Sequence, residues 1–175
     1  MEKRQNPVIQ AILGRRSIRS FQPERAEEEV REILLECAFA APSAHNRHPC
    51  HCIVIEDREQ LARLAEAHDS GKMLDKAALA IAVCAETAGY PEGDRAWVED
   101  GAAVLHNILL AARGLGLEGV WLKVMDRSPR NEKIRPILNV PGTVHIIGIA
   151  ALGRAAETKD PHRGYPEEKV HRDRW

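Results

Sequence analysis

The chain has 175 residues, 44% of them apolar, and its 25 Lys and Arg against 26 Asp and Glu leave a formal charge of −1, so it has material for one core and no surplus of either sign. That balance excludes a general attraction to nucleic acid or anionic membrane, and any anion site must be local. No apolar run approaches the roughly 18 residues of a membrane span, and MEKRQNP lacks the apolar stretch of a signal peptide, so a cytoplasmic protein with four reduced cysteines is the expectation.

Asn6-Pro7 reads as an N-cap followed by proline at the first helical position, with Val8, Ile12 and Leu13 forming a short stripe up to Gly14. From Glu27, residues Val30, Ile33, Leu34, Cys37, Ala38 and Ala41 recur at three- and four-residue spacing. Glu27, Glu28 and Glu29 occupy the turn where the helix dipole favours acids. A second helix to about Pro42 follows, with Cys37 on its buried stripe. The β-branched run Cys52 to Ile55 predicts a buried strand, then a helix from about Arg58 to Ala67, and Ala78 to Ala85 predicts a second strand.

Trp97, Gly101, Val104, Leu105, Ile108, Leu109 and Ala112 trace a long, wholly buried helix that stops near Gly114 and Gly116. Within it Asp100 and Asn107 read as structural and His106 as a satisfied core histidine. Val120 to Leu122 is a strand, Ser128-Pro129 opens a capped helix to about Leu138, and Thr143 to Leu152 is the clearest strand pattern of the chain. Helices and strands mix without strict βαβ alternation, which predicts an α+β fold with a sheet wrapped by helices. After Gly153 the chain is polar with two prolines; such a tail finds order by lying on another surface, with Val170 and Trp175 as anchors.

Two stretches carry chemistry. In Gly14 to Phe21 (GRRSIRSF) three arginines and two serines within six residues present forked donors suited to a phosphate; a solvated basic loop is the plain alternative. Residues 41 to 52 read APSAHNRHPCHC. Cys50 and Cys52, two apart on a strand, point to one face, with His48 or His45 to complete a metal site. A second paired-ligand cluster at zinc spacing is missing from the sequence, so no metal is expected, and no helix-terminal thiol with an acid-base partner marks a nucleophile.

RRSIRSF near the N-terminus, APSAHNRHP some twenty-five residues later, Lys72-Met73-Leu74 ahead of the second strand, and DGAAVLHNILLAARGLGLEGVW in the second half resemble, in this order, the nitroreductase family of FMN-dependent oxidoreductases. The resemblance covers essentially the whole chain. It implies an α+β nitroreductase-like fold with a mostly antiparallel sheet, residues 1–153 forming one FMN-binding domain and 154–175 an arm packing on the partner subunit of a homodimer. It also implies that hydride passes from NAD(P)H to FMN and on to a nitroaromatic, quinone or similar electron-poor acceptor by a ping-pong scheme, the flavin itself carrying the chemistry. A flavin-binding store or sensor without turnover, and another flavin reaction such as reductive dehalogenation, are the alternatives on the same scaffold.

The resemblance also assigns residues. Arg15, Arg16 and Ser17 would address the phosphate and ribityl end, with Arg19 and Lys72 at the pyrimidine edge, where a cation stabilises the negative charge of reduced flavin. Pro42, Ser43, Ala44, Asn46 and His48 would come from the partner subunit. His48 stands where glutamine is usual and ties the site to pH. Cys50 replaces a frequent tryptophan, leaving less aromatic wall. Backbone N–H groups of Leu122, Lys123 and Val124 would lie near flavin N5, with Val124 departing from the usual glycine. Among the late basic residues Lys159, His162 and Arg163, Arg163 is the candidate for the phosphate.

Overall fold

The computed structural model describes residues 3–124 and 129–175. In chain order the regular elements are α1 (Pro7–Gly14), α2 (Glu28–Phe39), β1 (Cys50–Ile55), α3 (Arg58–Ala67), β2 (Leu79–Glu86), α4 (Ala96–Gly114), β3 (Glu118–Lys123), α5 (Pro129–Leu138) and β4 (Val144–Gly153). The four strands form one antiparallel sheet in the order β1-β2-β4-β3, so β1 and β3 are its edges. The α+β expectation is met.

Local chemistry sets the boundaries. The Asn6 side chain accepts from the N–H of Val8 and Pro7 opens α1, while Asp57 accepts from Gln60 N–H to cap α3. β2 is buried along all but its last residue, because both faces of the sheet are covered. On one face Leu61, Leu64 and Ile134 from α3 and α5 pack against Ile55, Ala82, Leu122 and Ile149. On the other, Leu34 of α2 and Leu105 and Ile108 of α4 pack against Leu79, Ile81, Val83 and Leu152.

Three expectations need correction. Helix α2 stops at Phe39, short of Pro42, because the chain turns there to enter the APSAHN loop. α4 is not buried all round: Glu99, His106 and Arg113 are exposed, and His106 is a surface residue, not a core histidine. The tail does not detach at Gly153. Gln22 N–H donates to Arg154 O, Ala156 N–H to Ser20 O and His162 N–H to Leu13 O, so residues 154–162 run antiparallel along their own chain's loop. The segment free to reach another molecule is 163–175, all of it exposed, with Trp175 99% accessible. The expected helix start at Ser128 lies outside the described residues; α5 is present from Pro129.

Candidate functional site

The arginine loop lies on the outer edge of β3. Ser17 forms a parallel bridge with Gly119, and Ile18 N–H donates to Gly119 O at 3.2 Å. Ile18 and Phe21 are buried and anchor the loop, while Arg15, Arg16 and Ser17 are half-buried and Arg19 is exposed. The tail laces the other side of the loop. Glu157 accepts from the Arg19 N–H at 2.5 Å, Lys159 Nζ donates to Ser17 O at 2.6 Å, and Arg16 Nη1 donates to Asp160 O. The Arg19 N–H pulls the Glu157 carboxyl below its ordinary range, with Lys159 adding to the effect. Arg163 directly follows His162, which is tied to Leu13, so it stands close to the start of the same loop. Four cationic residues, Arg15, Arg16, Arg19 and Lys159, therefore cluster beside the lower part of the β3 edge.

Farther along β3 no further strand pairs with the edge among the described residues, and the Lys123 carbonyl there is taken by His68 Nε2 and Arg130 Nη1. Val124 N–H donates to Ile147 O at 3.3 Å. Bonded and non-bonded pairs alternate in an antiparallel ladder, so the N–H of Leu122 also turns toward β4, while those of Trp121 and Lys123 turn outward. Of the three backbone donors expected from the sequence, Lys123 alone presents its N–H at the edge; those of Leu122 and Val124 are directed into the sheet. Four strand residues, about 13 Å, separate Lys123 from Gly119. Lys72 opens a short 3-10 segment, Lys72–Lys76, one residue past Gly71, whose backbone packs against His68; His68 Nε2 in turn lies 3.2 Å from Lys123 O.

Beside this edge is a cleft of about 380 Å3 lined mainly by apolar groups, among them Trp97, Val98, Trp121, Val124, Ile146 and Ile147. It exists because Gly148 lets Trp121 lie across β4: a Cβ there would fall 2.5 Å from Trp121 Nε1. The register shift between Val83 and Cys84 brings two consecutive β4 residues, Ile146 and Ile147, to its lining.

The second half of the expected site is elsewhere. Pro42, Ser43, Ala44, Asn46 and His48 form the turn that enters β1, the opposite edge of the sheet, three strand spacings or about 14 Å from β3. His45, Asn46 and His48 all have positive φ, at 52°, 57° and 48°. Such a turn persists only if its surroundings over-determine it. Asp100, 6% exposed, does this: its carboxylate accepts from Ala44 N–H at 2.9 Å and from Tyr90 Oη at 2.6 Å. Ser43 Oγ accepts from His48 N–H, His48 Nε2 meets Asn46 Oδ1 at 2.8 Å, and the Arg47 guanidinium stands 4.9 Å above the Tyr90 ring. Burial, and after it the hydrogen bond to Asp100, pushes the Tyr90 hydroxyl up to about 12.

The cysteines take no visible part. Burial pushes Cys50 up to about 12 and Cys52 and Cys84 to about 11, so these thiols stay protonated at neutral pH and make poor nucleophiles. Among the described residues no three His, Cys, Asp or Glu side chains are grouped to hold a metal ion.

Sequence reasoning missed the supports. Asp100 read as merely structural, yet it holds the turn; a carboxylate alone on an apolar helix stripe was the available signal. Glu157 in the tail, and His68 and Asp69 near Lys123, gave none, because their partners Arg19, Lys123 and Arg130 lie 55 to 138 residues away in sequence.

The β3 edge suits the flavin mononucleotide that the sequence leads one to expect. Its cations gather at one end, an outward backbone donor stands about 13 Å away, and an apolar cleft between two tryptophans adjoins that donor.

Known proteins share the chain's sequence pattern and its fold. The model of the Nitroreductase family matches residues 12–71 and 68–154. A protein of Archaeoglobus fulgidus, provisionally named NADH dehydrogenase/NAD(P)H nitroreductase, is 38% identical over 172 residues, covering 95% of this chain and 98% of its own. The solved structure of an FMN-dependent nitroreductase from Clostridium difficile R20291 superposes with a TM-score of 0.88 at 29% identity, over 95% of this chain and 99% of that one. An NADPH:FMN oxidoreductase of Vibrio harveyi, solved in complex with NAD+, shares the fold with a TM-score of 0.82 at 21% identity, over 97% of this chain and 78% of that one.

Proposed function

The chain belongs to the nitroreductase family, and from that premise we propose that it is an FMN-dependent oxidoreductase, drawing hydride from NAD(P)H and passing reducing equivalents to an electron-poor acceptor such as a nitroaromatic or quinone, in a homodimer whose two sites are each built from both chains. The observation that carries this reading is the placement of the expected site residues on opposite edges of one sheet. A second copy related by two-fold symmetry brings the β1-edge turn of one protomer over the β3 edge of the other, and does so twice.

FMN supplies the hydride-accepting and electron-donating chemistry, with the nicotinamide and the acceptor using one face in turn. The chain's residues bind and orient. Arg15, Arg16 and Ser17, with Arg163 after the tail's last tie to the loop, hold the phosphate end. Arg19 and Lys72 place positive charge at the pyrimidine edge, where the reduced ring is negative. Lys123 N–H addresses the ring from the strand, and the partner's turn, residues 42–48, covers the opposite side. Trp121 and Trp97 keep water out of the adjoining cleft.

The test begins with the purified protein, which is expected to be yellow, dimeric and bleached by anaerobic NADH or NADPH, with sustained turnover once menadione is added. Failure to take up added FMN would overturn the reading, and reduction without turnover would leave a flavin store. Subunit mixing then tests the shared site. Arg15→Glu/Arg19→Glu spoils one half and Ala44→Trp the other, so each variant alone is expected to lose FMN. Random re-association of the two restores roughly a quarter of the sites if each needs both chains, whereas no recovery would show that one chain makes the whole site.

A further inference from the structure

The cleft beside β3 has aromatic walls that are fixed by their own neighbours. Trp97 Nε1 donates to Asp94 O at 3.1 Å, and the His145 ring stands 4.7 Å from the indole, centroid to centroid, so the indole is held against rotation. Trp121 lies across Gly148, the one residue type that leaves it room, and Val98, Ile146 and Ile147 complete the apolar lining. At about 380 Å3 the space has the size of a small-molecule site.

The lining is not apolar throughout. Arg95 belongs to it and is exposed, and its guanidinium stands 5.9 Å from the Trp97 ring centroid. Among the described residues no carboxylate forms an ion pair with it. Asp94, the acid beside it in sequence, accepts from Ala96 N–H at 2.8 Å where α4 begins. A guanidinium next to an aromatic wall, with no acid to occupy it, offers a planar and weakly hydrated fork to an incoming carboxylate or sulfonate.

We propose that this cleft receives the electron acceptor as a planar aromatic anion, its ring lying along Trp97 and Trp121 and its carboxylate or sulfonate on Arg95. Arg95 is then the residue that selects charged acceptors over neutral ones. This rests on the β3 edge being the seat of FMN, since Trp121 and Lys123 belong both to that edge and to the cleft. A nitro group on such a ring takes two electrons and two protons, supplied as hydride from NAD(P)H and a proton from solvent, and becomes nitroso with release of water. The anionic substituent is unchanged and serves recognition alone. The nicotinamide dinucleotide fits this placement less well, because its charge rides on a flexible pyrophosphate several bonds from the ring, whereas Arg95 stands directly beside the aromatic wall.

4-Nitrobenzoate and 4-nitrobenzamide share a ring and differ in charge, so the pair reads Arg95 directly. With the oxidised, FMN-loaded protein and no NAD(P)H, 4-nitrobenzoate is expected to quench tryptophan fluorescence saturably and to bind more tightly than the amide, and Arg95→Gln to weaken that binding. In turnover, Arg95→Gln is expected to lower the benzoate-to-benzamide ratio of kcat/KM about fivefold, the size of an exposed charge pair. Arg95→Lys should keep part of the preference, and high salt should erode it in the wild type. Equal effects on the two acceptors, an effect confined to the NADH step, or the absence of saturable quenching because the partner protomer fills the cleft would each overturn the assignment. A wild-type protein that takes up no FMN would instead overturn the reading beneath it, and the quenching titration on that protein would still decide whether the cleft binds the anion.

Discussion

At the scale of the residue, Asp100 concentrates the most consequence in one side chain. It sits on the buried face of α4, where the other residues are apolar or glycine, and its two oxygens serve different segments: one the Ala44 N–H, the other the Tyr90 hydroxyl. Removing it leaves a donor in the β1-edge turn without a partner, at about 1–3 kcal/mol. It also frees a stretch in which three side-chain-bearing residues hold positive φ. Asp100→Ala is therefore expected to lower stability by that amount in urea unfolding and to weaken FMN retention more than a surface change would. Asp100→Asn, which keeps one acceptor oxygen, should fall between the two.

At the scale of the element, the closest contact between helix and sheet is set by Gly101 on α4. A Cβ there would lie 2.6 Å from Ile147 Cγ1, 3.1 Å from Cγ2 and 3.2 Å from Cβ. Contact with the branch point as well as its tips means that rotating Ile147 does not relieve it. Alanine gains about 1 kcal/mol over glycine in a helix, whereas overpacking costs about 1–3 kcal/mol. Gly101→Ala should thus be net destabilising, with a lower urea midpoint and an altered cleft, since Ile147 lines it.

The elements themselves were largely legible in the sequence. Asn6-Pro7 announced α1 correctly, and the runs ending at Ile55 and Leu152 announced β1 and β4 to within two residues. The misreadings have physical causes. His106 falls on the exposed face of α4, which its small neighbours disguised as apolar. Leu122, Lys123 and Val124 looked equivalent as backbone donors because ladder alternation depends on register, and register is decided by a strand some twenty-five residues away. For the same reason periodicity was blind to His68, whose ring meets the Lys123 carbonyl 55 residues away.

At the scale of the whole molecule, the tail divides in two. Residues 154–162 are laced to the arginine loop, whereas 163–175 are exposed and include Tyr165, Val170 and Trp175 at 70%, 54% and 99% accessibility. α1 is similarly bare, with Val8, Ile9 and Ile12 facing solvent. In the proposed dimer these apolar surfaces supply contact area, and burying one large side chain contributes about 1.5–3 kcal/mol. Deleting 164–175 should accordingly leave the fold of each protomer intact by circular dichroism. It should weaken dimerisation about tenfold or more, since ~1.4 kcal/mol is a factor of ten, as sedimentation at a series of dilutions would read.

The outward-turned stretch of β3 from Trp121 to Lys123 also bears on how the polypeptide fares before it matures. An unpaired strand margin is a template onto which any other extended chain can zip, and the charge on Lys123 guards only one end of it. In the proposed arrangement FMN covers this margin, so newly made protein in cells short of riboflavin is expected to associate insolubly for longer, and soluble yield with and without added riboflavin during expression checks it.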